Sequence, residues 1–180
     1  KIPGSKSHTI RALFLASLAD GTSIIKEPLI SQDALSAARV CKDLGAEIEL
    51  KENEYIIKGF NKVPTTPSNI VDVGNSGTTL RFAITTAALD EGCTVFTGDY
   101  QIRKRPLGPL INALNNLGAS AFSTRDNGMA PVVIKGKLKG GRTELDAITS
   151  QYLSSLLINT PLLEKDTEII ITRLNEAPYV

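Results

Sequence analysis

The residues best equipped for chemistry lie in short hydroxyl- and glycine-bearing segments that each lead into an apolar run. Pro3-Gly4-Ser5-Lys6-Ser7-His8-Thr9 is followed by Arg11, and Gly74-Asn75-Ser76-Gly77-Thr78-Thr79 by Arg81. Thr149-Ser150-Gln151 offers hydroxyl and amide groups in a third such place, and Arg103-Lys104-Arg105 precedes a further apolar run. Small residues let backbone N–H groups approach a ligand closely, and at a helix N-terminus such a loop cradles phosphate or carboxylate. Cations there run against the helix macrodipole, a mismatch of about 0.3–1 kcal/mol each. They either pair with surface carboxylates or share one anion with the helix end. Neither loop is a Walker A loop, GxxxxGK[ST], or the GxGxxG of a dinucleotide fold. The chemistry expected is recognition of small anions.

The elements that must position these groups recur. Thr9-Ile10-Arg11, Thr79-Leu80-Arg81 and Thr149-Ser150-Gln151 stand 70 residues apart, since 79 − 9 and 149 − 79 both equal 70. Self-similarity at a long fixed period marks one supersecondary unit used several times. Each of the three opens an apolar, helix-like run, two closing on an acidic residue and a Gly (Asp20-Gly21, Glu91-Gly92) and the third on Pro161. A short β-rich run follows each: Thr22 to Ile25, Thr94 to Thr97, Thr167 to Ile171. A second helix is expected from Ser31 and again from Arg105-Pro106, where proline suits a first helical position. Leu107, Leu110, Ile111, Leu114 and Leu117 give the latter one apolar face. Both stop at Leu-Gly-Ala, at Leu44-Gly45-Ala46 and Leu117-Gly118-Ala119. Two strands close each unit: Ala46 to Leu50 with Tyr55 to Lys58, and Ala119 to Thr124 with Val132 to Lys135.

The units are expected at about 1–70, 71–145 and 146–180, the third cut off, so the chain reads as a piece of a longer polypeptide. At 180 residues, with 42% hydrophobic and 22% charged, it has the composition of an ordinary globular protein that can bury a substantial core. Net charge is +1, which suggests neither nucleic acid nor membrane as partner. No run approaches the ~20 apolar residues of a membrane span, and no secretory signal is visible. Cys41 and Cys93 have no CxxC or His partner spacing and read as small core residues of a cytoplasmic protein, with no metal implied.

Taken in order, Pro3-Gly4-Ser5-Lys6-Ser7 with Arg11, Gly74-Asn75-Ser76-Gly77-Thr78 with Arg81, Arg105-Pro106, Ser150-Gln151 and Pro178-Tyr179 resemble the 5-enolpyruvylshikimate-3-phosphate synthases (3-phosphoshikimate 1-carboxyvinyltransferases) over the whole chain. The resemblance implies an α/β (α+β) fold of repeated βαβαββ units with helices inside and sheets outside, and most of the N-terminal of two similar domains. It implies a transferase of the shikimate pathway to chorismate and aromatic amino acids, which moves the enolpyruvyl group of phosphoenolpyruvate to the 5-hydroxyl of shikimate 3-phosphate by addition and elimination, without a cofactor.

By the same resemblance Lys6 contacts both substrates and assists proton movement at the bridging oxygen. Ser7, Arg11, Thr149, Ser150, Gln151 and Tyr179 hold shikimate 3-phosphate. Asn75, Gly77 and Arg105, with Lys6 and Gln151, line the phosphoenolpyruvate pocket, Gly77 because a side chain would intrude. Thr78 and Arg81 shape the loop. The family's catalytic aspartate and further cations belong to the other domain, so the partners implied are polyanionic small molecules and that second domain, and the piece alone is expected to bind without turnover.

Three positions depart from the family pattern. Glu176 stands where a phosphate-binding serine is usual, and a carboxylate there is repulsive to phosphate, so it is expected to turn away or pair with a cation. Phe82 replaces a common proline after Arg81, and Thr149 replaces a serine while keeping the hydroxyl. His8, the only histidine, has no role in the family. The alternatives are the enolpyruvyl transferase acting on UDP-N-acetylglucosamine and an RNA- or anion-binding module on the same repeat. The first carries a reactive cysteine five residues before its Arg-Pro, where Tyr100 stands here; the second calls for basic surface and interleaved aromatics, and only 5% of residues are aromatic.

Overall fold

The computed structural model describes residues 4–180, so Pro3 of the first loop lies outside it. The chain runs through α1 (Lys6–Leu18), β1 (Thr22–Lys26), α2 (Gln32–Asp43), β2 (Glu47–Leu50), β3 (Glu54–Lys58), β4 (Val71–Asp72), α3 (Gly77–Ala87), β5 (Cys93–Thr97), α4 (Gly108–Asn116), β6 (Ser120–Ser123), β7 (Val132–Lys135), β8 (Gly141–Ala147), α5 (Ser150–Asn159) and β9 (Thr167–Leu174). One sheet has the order β1-β3-β2, all antiparallel, and the next the order β4-β5-β7-β6. In the second, β4 runs parallel to β5 and the remaining pairs are antiparallel. β8 and β9 form a third, parallel pair around α5. Element order and strand order thus recur: a strand, a buried helix, a parallel strand, then a helix and an antiparallel hairpin that adds its second strand next to the first.

Helices lie inside and sheets outside. All 11 residues of α3 are buried, including four threonines and Arg81 that a surface helix would leave in water. Each sheet turns alternate residues inward, Ile48, Tyr55 and Ile57 in the first and Ala121, Val132 and Ile134 in the second. Their neighbours on the outer face are polar, as in the Lys58–Glu47 pair at 2.8 Å, or exposed, as Phe122 is. One continuous core joins Leu13, Phe14, Val40, Phe82, Phe96, Leu114, Leu145 and Leu156.

Helix starts and stops are set locally. Ser31 caps α2 by accepting from the Ala34 N–H at 3.2 Å. Leu-Gly-Ala stops both α2 and α4, with Gly45 at φ +107 and Gly118 at φ +106, a conformation that strains any L side chain.

Three expectations are corrected. Arg105-Pro106 does not open α4: Arg105 is extended (φ −87, ψ 133) after a 3-10 turn at Ile102–Lys104, and the proline in the first turn of α4 is Pro109. Pro106 is instead held in an antiparallel bridge to Met129, and the Leu107 N–H donates to Gly128 O (2.7 Å), so the helix begins two residues later. The 70-residue echo is likewise not the register of helix starts. The N-caps are Ser5, Ser76 and Thr149, so the repeated Thr-x-x triplet lies past the helix start, running into the second turn of α1 and α3, and only in the third copy begins the helix. Cys93 is exposed rather than core, because it stands on an outward position of β5.

Candidate functional site

The N-termini of α1, α3 and α5 are built alike. Each is capped by a hydroxyl, with Ser5 accepting from His8 N (3.5 Å), Ser76 from Thr79 N (3.4 Å) and Thr149 from Gln151 N (3.4 Å). None carries an acidic residue in its first turn, whereas α2 has Asp33. The favourable place for a carboxylate at a positive helix end is therefore unfilled by the helices themselves.

Two guanidiniums run between these helices. Arg11 donates through Nη1 to Ser7 O (3.2 Å) and through Nη2 to Ser154 Oγ on α5 (3.1 Å), and it stands over the rings of Phe82 (5.3 Å) and Tyr179 (5.8 Å). Phe82, the departure from family pattern, is thus a stacking platform, and it also packs on Phe14 with ring centroids 5.5 Å apart. Arg81 is 7% exposed, donates through Nη1 to Gln151 Oε1 (2.6 Å) and lies 5.3 Å from the Tyr152 ring, whose hydroxyl is tied to the Pro106 carbonyl. Burial lowers the pKa of both guanidiniums, with Glu176 acting in the opposite direction on each. Neither makes an ion pair among the described residues, and each has a buried Nε without a hydrogen-bond partner.

Ser7, Arg11, Ser150, Gln151, Glu176 and Tyr179 line one small cleft of about 110 Å³. Five of these are residues expected to hold shikimate 3-phosphate, and Thr149 caps the helix at the cleft's edge. Gly77 belongs to a second group: a Cβ built there would lie 2.8 Å from Arg105 Nη1 and 2.9 Å from Arg81 Nη1. Asn75 is exposed just before the Ser76 cap. Lys6 is bound at 2.7 Å to Asp33 on the first turn of α2.

Glu176 does not turn away, and it makes no ion pair among the described residues. It folds onto the start of α5, where Oε2 accepts from Ser150 Oγ (3.1 Å), Thr149 Oγ1 (3.1 Å) and Ser150 N (3.3 Å). Loss of hydration works to raise its pKa, yet the bonds from Ser150 and Thr149, with Arg81 beyond them, hold it below the usual carboxylate range. Its backbone is left-handed at φ 57, a conformation that costs a glutamate on the order of 1 kcal/mol.

Sequence reasoning missed the Asp33 partner of Lys6, the Ser154 bond to Arg11 and the capping role of Glu176. Asp33 had a local signal, an acid after a Ser cap, but nothing local says which cation it meets. Ser154 and Glu176 are brought in by helix packing and by the end of β9.

Fold and site together define a repeat-built α/β domain that presents the N-termini of α1 and α5 and Arg11 to one cleft, with Gly77, Arg81 and Arg105 grouped at the start of α3. The chain belongs to the EPSP synthase (3-phosphoshikimate 1-carboxyvinyltransferase) family, whose model matches residues 1–180. It is 69% identical over its whole length to the 3-phosphoshikimate 1-carboxyvinyltransferase of Acetivibrio thermocellus, covering 43% of that protein. Identity to that of Ruminiclostridium cellulolyticum is 63% over 99% of the chain, covering 42% of the relative. An EPSP synthase structure from Acinetobacter baumannii superposes with a TM-score of 0.88 at 29% identity, over 98% of this chain and 40% of that one. The chain therefore spans about two fifths of the length of these relatives. No helix of the described residues is long and apolar enough to cross a membrane.

Proposed function

We propose that this chain is the shikimate 3-phosphate-holding part of an enzyme that transfers the enolpyruvyl group of phosphoenolpyruvate to the substrate's 5-hydroxyl and releases phosphate. The observation that carries the reading is the cleft where α1 and α5 meet: hydroxyl-capped helix ends without first-turn acids, and Arg11 without an ion pair among the described residues, with Arg81 buried behind Gln151. Phosphate and carboxylate are the groups such a place binds. Ser150 and Thr149 offer donors to the phosphoryl group, Gln151 is oriented by Arg81, and Arg11 is held by Ser7 and Ser154 to face the ring's carboxylate side.

In the addition step the 5-hydroxyl gives up its proton as its oxygen bonds to the central enol carbon, and the adjoining methylene takes a proton to become a methyl, giving a ketal phosphate; in elimination the carbon–oxygen bond to phosphate breaks and the methyl gives up a proton, leaving the enol ether and inorganic phosphate. Lys6 stands ready to hold the bridging oxygen, its ammonium kept in place by Asp33. Gly77 leaves room beside Arg105 and Arg81 for the phosphoenolpyruvate anion. The resemblance assigns the aspartate base and further cations to a second domain, and the cytoplasm is the compartment where this pathway's small polyanions are met.

Titration calorimetry tests the reading. The 180-residue chain is expected to bind shikimate 3-phosphate weakly, in roughly the millimolar range that corresponds to about −4 kcal/mol, and shikimate more weakly still, with no enolpyruvyl product by NMR on adding phosphoenolpyruvate. Absence of binding, or turnover by this chain alone, contradicts it.

A further inference from the structure

The donors at the start of α5 converge on a single atom. Glu176 Oε2 accepts the Ser150 N–H, the Ser150 hydroxyl and the Thr149 hydroxyl, the set that a helix end offers to an external anion. A second observation is independent of that helix end. Arg81 is nine-tenths buried, its Nε lacks any partner, and its Nη1 donates to Gln151, the neighbour of Ser150. Arg11, with an unpartnered Nε of its own, lines the cleft itself. One guanidinium, Arg11, thus lines a cleft that contains one carboxylate, a second, Arg81, lies buried behind Gln151, and the carboxylate sits on the helix-end donors.

We propose that Glu176 is an internal stand-in for a phosphoryl group: in the ligand-free chain its carboxylate occupies the anion seat at α5 and must leave it for a phosphate monoester to enter. This rests on the function proposed above and adds a gate to the same site. Displacement follows from the chemistry, since the Ser150 N–H has one proton to give and two anions on the same donors repel. The segment is placed to let go. Glu176 is exposed, follows the end of β9, heads the short 3-10 turn Ala177–Tyr179 and is held left-handed at φ 57. Once out, the carboxylate returns to water and loses the bonds that held its pKa down.

The test is calorimetry on the 180-residue chain, Glu176→Ser and Glu176→Gln, with shikimate 3-phosphate and with shikimate, which has the ring and no phosphoryl group. Both variants are expected to bind shikimate 3-phosphate roughly tenfold more tightly than the parent chain, within the range usual for two ligands coupled through one site, with shikimate affinity unchanged. A readout independent of the variants is the carboxyl ¹³C resonance of Glu176 in the parent chain. Its titration midpoint is expected to rise on saturation with shikimate 3-phosphate and to stay put with shikimate. Equal or weaker phosphate-ester binding in both variants, or an unmoved midpoint, overturns the gate while leaving the proposed function standing. If the parent chain binds neither compound, both fail.

Discussion

Cys41 and Cys93 share a residue type and little else. Cys41 is fully buried on α2, and loss of hydration pushes its thiol up to about 12 despite a hydrogen bond with Ser17 acting the other way. Thiolate is the reactive form, so at pH 8 only about one Cys41 in ten thousand is competent even before access is counted. Ellman's reagent is therefore expected to titrate one thiol in the folded chain, Cys93, and the second only after denaturation. Two thiols reacting at one rate under native conditions contradict this placement. The same contrast marks what single residues disclose in sequence. Lys6, Ser7 and Arg11 stood out as candidates for anion recognition because their types and spacing are local facts. That Cys93 points outward, or that Lys6 meets Asp33, depends on strand phase and helix packing that no single residue encodes.

Among the elements, the seam between α3 and α5 explains the 70-residue echo. Arg81 bonds Gln151 and Thr85 bonds Ser155 (3.1 Å), pairs that are each 70 apart. Thr86 then donates to Asn159 Oδ1 (3.1 Å), while Asn159 Nδ2 donates to Ser155 O (2.8 Å). The echo therefore marks residues that lie side by side on two parallel buried helices, not the residues that start them. A polar seam in a core is stabilising only while every group is satisfied. Asn159→Ala leaves the Thr86 hydroxyl without its acceptor and opens a small void, and is expected to cost about 2–3 kcal/mol by urea unfolding. A loss below about 0.5 kcal/mol, the level of an ordinary surface change, indicates that the seam carries little. Caps and Leu-Gly-Ala stops were legible because they act within a few residues. The start of α4 was misplaced because Arg105-Pro106 and Pro109 both satisfy the proline rule, and only the approach of Pro106 to Met129 decides between them.

At the scale of the molecule, stability is layered. α3 is buried on every side between α2, α5 and the second sheet, whereas β9 pairs only with β8 among the described residues and leaves Ile171 and Leu174 exposed. Backbone amides open in cooperative units whose protection follows burial. Hydrogen exchange is thus expected to be slowest in Thr79–Ala87 of α3 and fastest, among regular elements, in Thr167–Leu174 of β9. Equal protection of the two contradicts the layering. Occupancy of the cleft is expected to slow exchange at the start of α5 without reaching the outer sheets.

Read alone, the chain determined its α/β class, its repeated units, the hydroxyl-rich helix ends and the arginines behind them, since caps, turn glycines and apolar periodicity are written within one or two turns of backbone. Tertiary structure decided which of those ends share a cleft, that Phe82 stacks on Arg11, and that Glu176 sits on α5 instead of turning away. Those facts join residues 26, 71 or more positions apart in sequence, and their energies come from packing three helices together, a quantity no local pattern carries.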